Sequence, residues 1–250
     1  MEIKRLDWDS DFLGLEVYGV SLHTCQEPEQ IQQMVDALRQ SGAGLAYLFV
    51  ETDDPMLKGK LADYGAILYD EKLTYGKLLG ENGSATAAGT AGTDIPAYPG
   101  TDIRAYRGAM TDQLLRLAIL AGHESRFRKD PRLLPFFEPL YQLWMSNSLK
   151  GTMADVVFVC GSDSAVKGFV TCKIREDRTG SIGLIATDGA YQGQGIGQGL
   201  IGATDTWYTA NRIRTSTVVT QQSKVQACRF YEKAGFTIRK TEYIYHLWLK

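Results

Sequence analysis

The chain has 250 residues, of which 44% are hydrophobic and 22% are charged, proportions that are typical of soluble globular proteins. A formal net charge of -2 excludes a general electrostatic attraction to nucleic acid or to an anionic membrane surface. Because the sequence contains no run of about 18 apolar residues, we expect a cytoplasmic protein that binds neither nucleic acid nor membranes.

Cysteine and histidine are too sparse and too scattered to indicate a metal site. The four cysteines form no CxxC pair, and the three histidines share no motif with one another or with the cysteines. We therefore expect reduced thiols, no metal ion and no Ser-His-Asp triad.

In the first third of the chain, apolar patterns predict alternating strands and helices. Asp54 and Pro55 form an N-cap followed by proline at the first helical position, and the helix that they begin should end near Gly65. The other elements expected here are strands at 17–22, at 45–50 and from Gly65 to Leu79, and a helix at 28–40.

Residues 81–100, ENGSATAAGTAGTDIPAYPG, lack any apolar periodicity and are rich in small residues, Gly and Pro. This composition predicts a flexible linker. We therefore divide the chain into an N-terminal domain at 1–80, the linker at 81–100 and a C-terminal domain at 101–250.

The C-terminal domain begins with a strand and two helices and continues as an antiparallel meander. Thr111 can cap the first of these helices. The expected strands lie at 102–107, 155–160, 166–174, 181–187 and 215–220, and an aromatic strand ends the chain. Four helices are expected: one that begins at 111, one at 134–148, one that ends at about 211 and one that ends at 233. This alternation predicts an α/β (α+β) fold around a mixed central sheet.

The two domains contain similar segments, LADYGAILYDEKLTYGKLL from Leu61 and YEKAGFTIRKTEYIYHLWL from Tyr231. Each segment is the end of a helix, a glycine and a strand with tyrosines in matching places. Two explanations are open: duplication of one fold, or the frequent occurrence of a helix, a glycine and a strand in this order in unrelated proteins.

A glycine-rich loop, Gln192-Gly193-Gln194-Gly195-Ile196-Gly197, follows a predicted strand and begins a helix. In this position the free N–H groups of the first helical turn can bind an anion such as a pyrophosphate. Gln198 and Gly199 exclude a P-loop, and the late position in the chain disfavours a dinucleotide fingerprint. A glycine-rich turn that serves only to pack the strand and the helix remains an alternative.

The loop resembles the acetyl-CoA loop of the GNAT superfamily, with Gln192, Gly195 and Gly197 at the motif positions. A second match lies in Tyr231-Glu232-Lys233-Ala234-Gly235-Phe236, which is similar to the end of a family helix. The resemblance implies a GNAT fold preceded by a smaller, partial GNAT-like domain. It also implies acetyl-CoA as co-substrate.

By the same resemblance, Tyr231 is the general acid that protonates the CoA thiolate, although a tyrosine that only packs the helix is an alternative. The strand before the loop would supply backbone groups that hold the pantetheine arm and polarise the thioester carbonyl. Many family members have Asn where this chain has Lys224, which could reach a CoA phosphate instead. The cofactor-binding residues that the resemblance implies are Ile185, Ala186, Thr187, Gln192, Gly193, Gln194, Gly195, Ile196, Gly197, Lys224 and Phe230.

The base that deprotonates the acceptor amine is not indicated by any histidine, so we expect a carboxylate or a chain of waters. Asp70 is our candidate, with Glu71 beside it. For both residues a solvated position in a turn is the simpler interpretation.

The opening LDWDSDFLGLEVYGV and the segment at 124–131 resemble a narrower group, the TDP-fucosamine N-acetyltransferases of bacterial surface-polysaccharide synthesis. This resemblance implies a nucleotide amino sugar, dTDP-4-amino-4,6-dideoxygalactose, as acceptor and suggests a homodimer. Arg126 and Arg128 could bind its diphosphate and Phe127 could stack on its base or sugar, while a solvated arginine pair is the alternative. Acetylation of a protein, peptide or polyamine, and a non-catalytic CoA-binding module, are the competing functions.

Overall fold

The computed structural model describes residues 2–22, 27–80 and 102–249. The expected linker at 81–100, together with His23 and Cys25, lies outside the described residues. Cys160 and Cys172 are buried free thiols, and the side chain of Cys228 is half-buried.

The described residues up to 80 form four strands and three helices. They are β1 (Glu2–Arg5), α1 (Asp7–Leu13), β2 (Val17–Leu22), α2 (Pro28–Gln40), β3 (Leu45–Val50), α3 (Pro55–Asp63) and β4 (Ile67–Leu78). The expected cap is present, since the Asp54 carboxylate accepts a hydrogen bond of 2.9 Å from the backbone N–H of Met56. The sequence patterns did not predict β1 and α1.

Within 102–249, the described residues form six strands and five α-helices. They are β5 (Ile103–Ala105), α4 (Asp112–Ala121), α5 (Arg126–Lys129), α6 (Phe137–Leu149), β6 (Val156–Ser162), β7 (Ala165–Ile174), β8 (Gly180–Thr187), α7 (Ile196–Ala210), β9 (Thr215–Gln221), α8 (Val225–Lys233) and β10 (Thr237–Trp248). The Thr111 hydroxyl caps α4 by accepting from the N–H of Leu114 at 3.2 Å. The short helix α5 was not predicted.

The described residues form two compact units that do not follow the chain in order. One comprises residues within Met1–Leu73, Gln221–Ser223 and Lys240–Lys250, and the other residues within Thr74–Thr220 and Lys224–Arg239. Strands β4 and β10 therefore each contribute residues to both units. The division at 1–80 and 101–250 had assigned each of these strands to one domain.

In the first unit, β2 runs parallel to β3, and β1 is antiparallel to β2. The second part of β10 is antiparallel to β3, with Tyr243 opposite Val50 and Trp248 opposite Leu45. The apolar face of α2 packs into the core of this unit, where Ile31, Val35 and Leu38 are fully buried. The 3.6-residue spacing of these side chains is what predicted the helix.

In the second unit, β6, β7 and β8 form the expected antiparallel meander. Strand β5 is antiparallel to β6, and β9 lies parallel to β8. The order of the strands continues from β9 to β4 and then to β10. Helix α4 packs against β7 and β8, and α7 packs against β6, β7 and β8. This unit is a mixed sheet with flanking helices, as predicted.

Candidate functional site

Strands β8 and β9 separate toward their carboxyl ends. In the described part of the chain their pairing covers only Gly180–Ile182 opposite Ser216–Val218. The remainder of β8 pairs with β7 on its other side, where Phe169 lies opposite Ala186. The backbone of β8 that faces β9 beyond Ile182 is therefore available to a ligand, and the predicted residues Ile185, Ala186 and Thr187 lie in this segment.

A β-bulge in β8 accompanies this separation: Gly183 and Leu184 together lie opposite the single residue Thr171 of β7. The buried hydroxyl of Thr171 accepts a hydrogen bond of 2.8 Å from the N–H of Leu184, which replaces a regular ladder bond. A Cβ atom at Gly183 would lie 2.8 Å from the Thr171 hydroxyl oxygen, so this position needs glycine. Sequence reasoning missed both residues, and the signal for them was a glycine inside a predicted strand.

The glycine-rich loop leads directly into α7, whose N-terminus has no side-chain cap. Gly193 and Gly195 adopt left-handed φ angles of +75° and +80°, and Gly195 is the N-cap residue of α7. No side chain caps this helix, and its first turn has no acidic residue. The first-turn N–H groups and the positive end of the helix dipole can thus receive an anion.

The side chains at the other loop positions differ in how closely they pack against the rest of the protein. Gln194 makes a long hydrogen bond of 3.5 Å to the Ala190 carbonyl, and the side chain of Ile196 is buried. A Cβ atom at Gly197 would lie 3.0 Å from the Phe230 ring. Gly197 therefore allows α8 to pack closely against the start of α7, which is a structural reason for this motif glycine.

Asp188, which sequence reasoning missed, anchors the turn before the loop. Its carboxylate accepts hydrogen bonds from the backbone N–H of Ala190 at 3.0 Å and from the Gln113 side-chain amide at 2.8 Å. Because Gln113 lies in the first turn of α4, this carboxylate fixes the loop relative to that helix.

Tyr231 lies in α8 with its side chain 4% exposed. Its ring packs against those of Tyr75, Phe230 and Phe236, at centroid distances of 5.3–5.9 Å. Within the described residues its hydroxyl has no hydrogen-bond partner, and burial raises the pKa of the phenol. A protonated phenol with an unused O–H is what a general acid requires.

Tyr75 of β4 is a neighbour of this tyrosine that the sequence did not indicate. It is fully buried, and its hydroxyl donates to the Glu232 carboxylate at 3.1 Å. Burial raises the pKa of Tyr75 as well, and contact with Cys228 adds to the rise. The strand that the N-terminal third supplies therefore holds the helix that carries Tyr231.

Lys224 is not positioned as an open phosphate ligand. Its ammonium donates a hydrogen bond of 2.9 Å to the backbone carbonyl of Ala121, the last residue of α4. Burial lowers the pKa of Lys224, and the charge of Glu124 opposes this shift. This internal hydrogen bond satisfies a carbonyl at a helix end, and the contact with a CoA phosphate stays a prediction.

The three residues predicted to bind the acceptor differ in exposure. Arg128 is exposed and lines an open pocket of about 520 Å³ beside Leu134 and Phe137. Arg126 is half-buried, with its guanidinium 5.3 Å from the Phe127 ring. Phe127 is only 5% exposed, so its ring packs inward and does not offer a face for stacking on a base or sugar.

Asp70 and Glu71 lie within β4, not in a turn, so that interpretation was wrong. The carboxylate of Asp70 is buried in the first unit. The general-base role of Asp70 stays a prediction.

Residues 123–236 match the model of the Acetyltransferase (GNAT) family. This segment is a GNAT acetyltransferase domain. The chain is also 30% identical over 139 residues to the spore coat polysaccharide biosynthesis protein SpsD of Bacillus subtilis. That alignment covers 55% of this chain and about half, 47%, of SpsD.

Solved structures show the same GNAT fold at low sequence identity. A GCN5-related N-acetyltransferase from Sphaerobacter thermophilus superposes with a TM-score of 0.57 at 13% identity, covering 98% of this chain and 75% of that protein. One from Kribbella flavida gives a TM-score of 0.52 at 12% identity, covering 92% of this chain and 80% of that protein.

Two further findings concern all the described residues. These residues contain no group of three or more His, Cys, Asp or Glu side chains that could hold a metal ion. None of their helices is long and apolar enough to cross a membrane.

Proposed function

We propose that this protein transfers an acetyl group from acetyl-CoA to the amino group of a dTDP-linked amino sugar, dTDP-4-amino-4,6-dideoxygalactose. The observation that carries the proposal is the combination of an open β8 edge, an uncapped start of α7 and an unpartnered buried phenol. This arrangement fits a long, partly anionic thioester followed by release of a thiolate.

The residues of the loop and of β8 divide the binding of acetyl-CoA between them. The first-turn N–H groups at Gly195–Gly197 receive the pyrophosphate, and Gln192 to Gln194 shape the approach. The backbone of Ile185, Ala186 and Thr187 binds the pantetheine arm and polarises the thioester carbonyl. Phe230 closes the loop side through its contact with Gly197.

Tyr231 acts as the general acid in this proposal. Its O–H is protonated throughout the physiological range, because burial raises the pKa of the phenol above its ordinary value of 10. It gives its proton to the sulfur as the C–S bond breaks.

Two observations support a sugar nucleotide as the acceptor. The SpsD relative is named for polysaccharide biosynthesis. The opening segment and residues 124–131 resemble the TDP-fucosamine N-acetyltransferases. Arg128, exposed beside an open pocket, and the half-buried Arg126 are the groups that would bind the diphosphate. We also propose that the protein acts as a homodimer, which sedimentation analysis would test.

The test is release of free thiol from acetyl-CoA with a panel of dTDP-amino sugars, polyamines and lysine peptides. We expect turnover with the 4-amino-4,6-dideoxygalactose nucleotide. Turnover with peptides or polyamines alone would contradict the sugar assignment, and CoA binding without turnover would indicate a non-catalytic module.

The variant Tyr231→Phe tests the acid in the same assay. We expect kcat to fall by about 100-fold, a typical contribution of general acid catalysis, with acetyl-CoA affinity unchanged. Unchanged kcat would assign Tyr231 to packing alone.

A further inference from the structure

Lys224 connects the start of α8, which follows β9, to a helix that packs on β8. It follows β9 by three residues and is the N-cap residue of α8, whereas its hydrogen-bond partner Ala121 ends α4, which packs on β7 and β8. The side chain thus joins elements that belong to the two strands whose pairing ends at Ile182 and Val218. Under the proposed function the thioester binds between these two strands.

The ammonium of Lys224 is only partly satisfied. Among the described residues its one hydrogen bond is the 2.9 Å bond to the Ala121 carbonyl, although an ammonium has three donors. When the group is neutral, one N–H can keep this bond while the lone pair is directed elsewhere. The nitrogen thus keeps capacity for a further partner besides the Ala121 carbonyl.

We infer that Lys224 is the general base that removes the proton from the acceptor ammonium. The inference rests on the proposed function and assigns a group to the one step that the site otherwise lacks. It places the base in the GNAT domain itself and relieves Asp70 of this role.

The surroundings of Lys224 favour a neutral amine. Burial lowers its pKa from 10.5, and the positive end of the α8 dipole disfavours a cation at the N-cap. The opposing group is Glu124, in the turn after α4, whose own carboxylate lies 3.5 Å from the Lys129 ammonium. From α6, the Tyr141 phenol packs over the backbone of Gly122. A base with a pKa nearer to neutrality is the efficient one at physiological pH.

The step balances in protons and electrons. Neutral Lys224 takes one proton from the acceptor ammonium, and the freed nitrogen lone pair forms the C–N bond as the thioester C–S bond breaks. Tyr231 donates its proton to the sulfur, and its phenolate recovers a proton from the new amide nitrogen. Lys224 then releases its proton to solvent, so the products are the acetamide, free CoA thiol and one proton.

The kinetic test compares Lys224→Arg, which keeps a cation and a donor for Ala121 but cannot act as a base, with Lys233→Met, an exposed change on the same helix. We expect the arginine variant to lose at least about 100-fold in kcat while retaining acetyl-CoA affinity. We also expect the ascending limb of its kcat/KM against pH to move to the pKa of the acceptor amine itself. The Lys233 variant should match the parent protein in both respects.

Full activity of Lys224→Arg would overturn the inference and leave Lys224 as a cationic tie between two helices. A second result would also overturn it: loss of the ascending limb of kcat/KM against pH in Asp70→Asn, while Lys224→Arg keeps that limb. That result would assign the role of general base to the Asp70 carboxylate.

A second readout does not depend on turnover. Lysines labelled by reductive methylation with ¹³C can be titrated by NMR in the CoA-bound protein, with the Lys224→Arg spectrum identifying the resonance. We expect Lys224 to titrate below the other lysines, because burial lowers its pKa. Titration with the others would reject the base assignment whether or not any acceptor amine is turned over, whereas a low pKa without turnover would reject the proposed acceptors alone.

Discussion

At the scale of single residues, the site depends on side chains whose charge state burial determines. Tyr231 and Tyr75 are held protonated, Lys224 is biased toward its neutral form, and Asp205 has a raised pKa that the Lys77 hydrogen bond opposes. These shifts follow from the transfer of ionisable groups out of water. They predict which groups can donate or accept protons at neutral pH.

The Glu242 cluster of the first unit predicts a pH-dependent stability. Burial raises the pKa of Glu242, but hydrogen bonds from Lys240 at 2.9 Å and Lys72 at 2.8 Å outweigh burial and hold it below 4.5. A depressed carboxylate pKa contributes stability above the unfolded value, which is lost as pH falls through the folded value. We expect Glu242→Gln to lower the free energy of unfolding by about 1–2 kcal/mol at pH 7 and by much less near pH 3.

Urea unfolding at the two pH values measures this difference, with Glu2→Gln on the exposed strand β1 as the control. An equal loss at both pH values would mean that packing, not the carboxylate charge, accounts for the effect.

Sequence reasoning at this scale succeeded where the signal is local. The loop glycines and Tyr231 lie in short motifs, so their neighbours along the chain indicated them. Thr171 and Tyr75 were missed because their partners, Leu184 and Glu232, lie 13 and 157 residues away. Such contacts depend on the arrangement of the strands, which no local pattern contains.

At the scale of elements, the start of α7 is the feature that the proposed chemistry uses most. Gly195 combines a left-handed φ of +80° with space around its Cβ position, so the loop needs its backbone freedom and not its small size. By contrast, the Pro28–Gln40 helix was predicted from the helical spacing of its apolar residues. The meander was predicted because turn residues separate its apolar runs. The one-turn helix α5 is too short to produce a period.

Gly195→Ala therefore tests the loop. We expect a loss of about 1 kcal/mol in stability from left-handed strain and a several-fold weaker binding of acetyl-CoA, because the first-turn N–H groups shift. Calorimetric titration measures the affinity. Gly189→Ala is the matched control, since that glycine has ordinary φ and equal space, and a similar loss there would contradict the argument.

At the scale of the whole molecule, no sequence pattern predicted that β4 and β10 would each contribute residues to both units. We call this arrangement the exchange of β4 and β10. Gly65 and Gly235 end their helices with similar φ angles of +82° and +87°, and each precedes a 12-residue strand. This likeness supports duplication as the origin of the two segments. It did not predict that the strands would contribute to both units, because strand partners are chosen by the fold and not by propensity.

Expression of the chain as two fragments, 1–90 and 91–250, tests whether the second unit needs the residues that β4 contributes. Residues 74–78 belong to the second unit, where Tyr75 bonds Glu232 and Lys77 bonds the Asp205 carboxylate at 2.5 Å. A fragment of 91–250 alone would leave Asp205 partly buried without its cation. We expect it not to fold by circular dichroism, and to recover structure when the fragment 1–90 is added. Native-like cooperative melting of 91–250 alone would contradict this expectation.

The same exchange sets the order in which the protein can assemble on the ribosome. Strand β3 pairs with β10 along Leu45–Val50, yet β10 is translated only after the whole of the segment at 123–236 has been made. The unit that is synthesised first therefore cannot complete its sheet first. Until β10 emerges, the β3 edge is exposed, and during translation this edge is the place where a nascent chain would need protection from pairing with another.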